Sequence, residues 1–158
     1  MFPYGITTFC DDIRHEVQNK LTLVGCYGPE LLVGANPPVA IPKLGVFVQA
    51  RFPPEKISTI KLMVYVPKHD DPFFVHEQPE ESNDFTPHPP DPSVPPLIED
   101  GVEVAKLRAF VLPILLGPLV LEGPGYIKVR MVYRTETIRL GSLRIVFQGP
   151  ESATPPRS

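Results

Sequence analysis

The chain has 158 residues, a formal net charge of −3, 42% hydrophobic residues and 22 prolines. That length and apolar content suit one domain with one core, and the charge balance excludes a polybasic nucleic-acid binder. An average chain of this length holds about 8 prolines, and each interior proline costs a helix ~3 kcal/mol, so a long-helix architecture is excluded too.

The N-terminal residues Met1–Gly5 carry no Lys or Arg and no apolar stretch of signal-peptide length. The longest apolar run, Phe110–Leu116, is interrupted by Pro113 and is too short to span a bilayer. These features lead to the expectation of a soluble cytoplasmic protein, with Cys10 and Cys26 as reduced thiols.

Short β-branched and aromatic runs recur between Gly and Pro. They are Ile6–Cys10, Leu21–Tyr27, Leu44–Phe52, Ile57–Val66, Val102–Leu112, Tyr126–Arg134 and Ile138–Phe147. About seven strands in one domain predict an all-β fold, a single immunoglobulin-like antiparallel β-sandwich over residues 1–148, with a closed barrel as the alternative.

The first hairpin can be registered by pairing residues whose numbers sum to 36. Phe9 then opposes Tyr27, Ile13 opposes Leu23, and Glu16 opposes Lys20, which keeps apolar pairs together and matches opposite charges. Cys10 and Cys26 face each other on the outer side, and Asn19 in the Val17–Asn19 loop suits a left-handed conformation. A short helix over Asp11–Gln18, capped by Asp11, competes with this reading.

Residues 79–96 hold seven prolines, and residues 77–103 hold eight acids with no Lys or Arg. That stretch carries −8 and leaves the rest of the chain at +5. Residues 79–100 are therefore expected to form an extended acidic loop, and residues 149–158 a flexible tail.

In the last hairpin the turn is expected near Thr135-Glu136. Ile127, Val129, Met131 and Tyr133 face the core, while Lys128, Arg130 and Arg134 face out. Ile138 and Leu140 point inward, as do Leu143, Ile145 and Phe147 of opposite parity, so a β-bulge is required and Gly141-Ser142 is its natural place. A pairing sum of 272 sets Lys128 opposite Arg144.

The segments Phe9-Cys10-Asp11-Asp12-Ile13-Arg14-His15-Glu16, Asn19–Tyr27, Pro42-Lys43-Leu44, Pro124–Arg130 and Leu140–Leu143 resemble a family of small uncharacterised bacterial or phage-associated proteins, a domain of unknown function. The resemblance implies a bacterial or phage-derived chain with an immunoglobulin-like sandwich and no established activity. Gly125-Tyr126 also resembles the tyrosine corner of such sandwiches, in which the hydroxyl bonds back to the backbone.

Candidate chemistry is sparse. Asp11, Asp12, His15 and Glu16 offer an acidic cluster for a hard cation such as calcium, against the plainer reading of a polar bulge with Asp11 capping backbone N–H groups. His69, Asp70, Asp71 and His76 offer a second, incomplete set for zinc. Cys10 with His15 or His76 lacks the surrounding turn of a nucleophile, and no phosphate loop or dinucleotide fingerprint occurs. No enzyme activity and no cofactor are expected. The most concentrated basic set is Lys106, Arg108, Lys128, Arg130, Arg134, Arg139 and Arg144. Of these, Lys128, Arg130, Arg134, Arg139 and Arg144 are the expected partner-binding residues, on a face that either is ordinary solvated sheet or receives an acidic partner. The expected role is a non-enzymatic protein-interaction module. The alternatives are a virion or assembly component, which would be a homo-oligomer, and a calcium- or membrane-binding sandwich. A protein partner is expected, a nucleic-acid or membrane partner is not.

Overall fold

The computed structural model describes residues 3–52, 59–79, 93, 95–103 and 108–149. Thirteen strands run through them in chain order. They are β1 (Tyr4–His15), β2 (Leu21–Cys26), β3 (Glu30–Val33), β4 (Val39–Ile41), β5 (Leu44–Phe52), β6 (Ile60–Tyr65), β7 (Phe74–Gln78), β8 (Ile98–Glu99), β9 (Val102–Glu103), β10 (Arg108–Leu116), β11 (Leu119–Leu121), β12 (Gly125–Tyr133) and β13 (Glu136–Phe147). The only helical element among the described residues is a single 3₁₀ turn at Val17–Asn19.

Two main sheets carry the fold. One has the order β10-β5-β1-β2 and the other β3-β13-β12-β6-β7. Among the described residues each is an open ladder with two edges, which favours a sandwich-like pair of sheets over the barrel alternative. All pairings in these sheets are antiparallel except that of β13 with β3.

The period-two pattern explains the core. On β5, Val46, Val48, Ala50 and Phe52 point inward; on β12, Ile127, Val129, Met131 and Tyr133 do so. These residues join Phe9, Leu62, Val64, Leu143 and Ile145 in one cluster between the sheets. Burying each Val, Leu, Ile, Phe or Met among them contributes roughly 1.5–3 kcal/mol. The Phe52 and Tyr133 rings, 5.1 Å apart, tie the two layers together. The short pair β4–β11 closes one side, with Leu119 and Leu121 fully buried.

Pro113 does not end its strand. Among the described residues β10 is an edge that pairs only with β5, where Pro113 faces Phe47. An edge position can dispense with one backbone N–H.

The first hairpin follows the sum-36 register: Cys10 faces Cys26, Asp12 faces Val24, Ile13 faces Leu23 and His15 faces Leu21. Glu16 N–H donates to Lys20 O at 2.8 Å, and Tyr27 N–H to Phe9 O at 2.8 Å. The helix alternative over Asp11–Gln18 is overturned, because β1 runs unbroken to His15. Asn19 is left-handed as expected, at φ 57°, and Gln18 joins it at φ 61°.

The two described ends of the expected fifth strand, Val102–Leu112, belong to different ladders, β9 with β8 and β10 with β5. Its start pairs with β8 around Asp100 (φ 50°) and Gly101 (φ 75°), the left-handed pair that a two-residue hairpin turn requires. Residues 104–107 lie outside the described residues. So does most of the expected acidic loop, at 80–92 and 94, and all of the tail from 150 onward.

Candidate functional site

β12 and β13 build the basic face. Their turn is Arg134-Thr135, with Arg134 left-handed at φ 57° and Tyr133 facing Glu136. The turn falls one residue earlier than expected, which lowers the pairing sum by two. The bulge lies at Val129/Arg130, and the extra residue on β13 is Leu140, beside the expected Gly141. Lys128 therefore faces Ser142, and Arg144 faces Tyr126; the expected Lys128–Arg144 pair does not form.

A different like-charge pair takes its place. Arg130 faces Arg139 directly across the β12–β13 ladder. Its guanidinium is held by backbone carbonyls, with Nη1 donating to Val129 O at 2.9 Å and to Gly141 O at 3.4 Å. Partial burial pushes the Arg130 guanidinium down from its usual range, and the neighbouring Arg139 adds to the effect. Among the described residues no carboxylate makes an ion pair with Lys128, Arg130 or Arg139.

Lys128 and Arg130 line an open groove of about 630 Å³. Tyr65, opposite Lys128 on β6, and Tyr126 lie along it. Its rim is the β6–β7 connection, from Val66 to Asp70, and the Pro124-Gly125 corner. Lys68 adds a cation to that rim and Asp70 an acid. Such a groove can receive a carboxylate on the Arg130 fork, while the tyrosines supply apolar area with polar tips.

The remaining expected basic residues are placed elsewhere or already engaged. Arg144 pairs with Glu30 of β3 at 2.7 Å. The Arg134 guanidinium lies 5.3 Å from the centre of the Tyr133 ring. Arg108 belongs to the other sheet, on β10, and Lys106 lies outside the described residues. The sequence therefore named five partner-binding residues, and the structure brings Lys128, Arg130 and Arg139 together without Arg134 or Arg144. Tyr65 and Lys68 were missed. Tyr65 lay in a loosely alternating run, and nothing local in the sequence places Lys68 beside β12.

Tyr126 does not make a tyrosine corner. It is 49% exposed, and its hydroxyl makes no hydrogen bond among the described residues. It projects from the outer face of β12, away from the core.

The acidic cluster does not converge. The Tyr27 hydroxyl donates to the Asp11 carboxylate. Asp12 turns to Lys43 at 2.8 Å and Arg14 at 3.5 Å, and the hydrogen bond from Lys43 is the main reason its carboxyl lies below 3.8. His15 and Glu16 are exposed at the hairpin end. In the second set, His69 lies 3.8 Å from Glu122, while His76 sits on β7 beside Phe110. Among the described residues no three His, Cys, Asp or Glu side chains are grouped to hold a metal.

No family model matches the sequence, and no curated protein matches it. Among the described residues no helix is long and apolar enough to cross a membrane.

Proposed function

We propose that this protein is a non-enzymatic interaction module whose groove over Tyr65, Tyr126, Lys128 and Arg130 docks an acidic segment of a partner protein. One observation carries the reading: two arginines face each other across a ladder, one half-buried and pinned by carbonyls, with no carboxylate among the described residues to separate them. Like charges directly opposite are destabilising, and an incoming carboxylate relieves that repulsion. A peptide suits the groove better than a nucleic acid, because only Lys68, Lys128 and Arg130 supply cations along it, too few to follow a phosphate backbone.

The test is titration with a fluorescent glutamate-rich peptide. Binding should weaken as salt rises past 0.1 M, where the Debye length is ~10 Å. Arg130→Gln with Lys128→Gln should abolish it. Arg144→Gln should leave it unchanged, since that side chain serves Glu30. No binding at low salt, or equal loss in both variants, would overturn the reading.

A second reading, a subunit of a larger assembly, is favoured by the outer face of the four-stranded sheet. Tyr4, Ile6, Val111 and Leu115 there are 44–62% exposed, more apolar surface than one solvated sheet face needs. Light scattering decides this: a monomer at high concentration argues against it.

A further inference from the structure

We infer that Cys10 and Cys26 form an oxidative modification site, a thiol pair that closes to a cross-strand disulfide when a small disulfide such as oxidised glutathione reaches Cys26. The two residues are direct partners in the β1–β2 register. Facing residues in an antiparallel pair have Cα atoms about 4.5–5.5 Å apart, inside the range that a disulfide bridges. Both thiols are free in this structure.

The two sulfurs have unequal access. Cys26 is exposed, whereas Cys10 is fully buried. Burial pushes the Cys10 thiol up from 9.0, and the charge of a nearby Cys26 thiolate pushes it the same way. Cys26 is therefore the attacking group and Cys10 the resolving one.

The Cys10 thiol now leans over β5. Its Sγ–H donates to Asp12 O at 3.3 Å, and a Cβ on residue 45 would lie 2.5 Å from that sulfur. Glycine at 45 gives the reduced thiol its resting place, and Ile13 Cγ1 crowds the same spot at 3.0 Å. Closing the bond needs a rotation about χ1 that carries Sγ from β5 toward β2, a change between staggered rotamers rather than of the backbone.

The chemistry balances in two exchanges. The Cys26 thiolate attacks one sulfur of the oxidant RSSR, forms Cys26–S–S–R and releases RS⁻. The Cys10 thiolate then attacks Cys26 Sγ and releases the second RS⁻. Two protein thiols are oxidised, one small disulfide is reduced to two thiols, and the two protons lost by the cysteines end on those thiols.

Intact-mass spectrometry after incubation with oxidised glutathione tests this. The wild-type chain should lose two hydrogens and both reactive thiols, with the Cys10 and Cys26 peptides joined. Cys10→Ser and Cys10→Ala should instead keep one glutathione on Cys26, and Cys26→Ser should stay unmodified while folded. Thermal melting of each variant shows which are folded, and the wild-type product alone already decides. A wild-type chain that stops at the Cys26 adduct with Cys10 still a thiol would overturn the inference, and so would a Cys26–Cys26 dimer as the main product.

Discussion

Gly25 holds φ at +65°, and the Asp11 carboxylate occupies the space that a side chain there would need. An L-residue at that position bears a left-handed penalty of roughly 1–2 kcal/mol and must also displace the carboxylate. Gly25→Ala should therefore destabilise the protein by about 1–3 kcal/mol in urea unfolding, and by less when combined with Asp11→Ala. Fully additive costs in that double-mutant cycle would show that the two residues are uncoupled. The same carboxylate accepts the Tyr27 hydroxyl, and burial with that bond pushes the phenol up to about 12 from 10.0. The folded value lies above the unfolded one. This group's stabilisation is thus intact below pH 10 and is lost as pH rises toward 12. In Tyr27→Phe the urea midpoint should vary less between pH 10 and 12 than in the wild type; identical profiles would count against the bond. The facing of Cys10 and Cys26 was legible from sequence, because one register satisfied both apolar and charged pairs. The Asp11–Tyr27 contact was not, since it depends on the backbone turn at Gly25 rather than on alternation.

β3 shows where element reading runs out. Glu30–Val33 alternates exposed and buried, but four residues are too few for a period to stand out, and its partner β13 is more than a hundred residues away in sequence. The same brevity hid β4, β7 and β11. Long strands such as β5, β12 and β13 were visible because their inward residues recur over nine to twelve positions. The final turn reads from sequence as Thr135-Glu136 rather than Arg134-Thr135, because only a left-handed Arg134, which its residue type does not advertise, selects the latter. If β3 belongs to the sheet as described, its two leucines should behave oppositely. Leu31, 8% exposed, should cost about 2–4 kcal/mol as Leu31→Ala. Leu32, 55% exposed, should change stability by less than about 0.5 kcal/mol as Leu32→Ala. Chemical denaturation of the two variants checks this, and equal losses would remove β3 from the core.

At the scale of the molecule, charge is arranged against stability at one ladder position among the described residues. Arg130 and Arg139 repel across a ladder that would tolerate a neutral β-former. Arg139→Thr should raise stability by a few tenths of a kcal/mol at low ionic strength, with the gain fading as salt screens the pair, and should weaken binding of the acidic peptide. A gain unchanged by salt would point to strand propensity instead of repulsion. The parallel pairing of β3 with β13 has a consequence for the order of events during synthesis. Leu31 and Val33 leave the ribosome more than a hundred residues before their ladder partners Ile145 and Phe147. β1, β2 and β5 also precede β12 and β13 in the chain, and the inner face they share stays uncovered until those strands arrive. The nascent chain therefore holds a half-built layer open to water, and to any holding chaperone, while the residues between β5 and β12 are made. Folding is completed in a late, long-range closure, which is slow by topology.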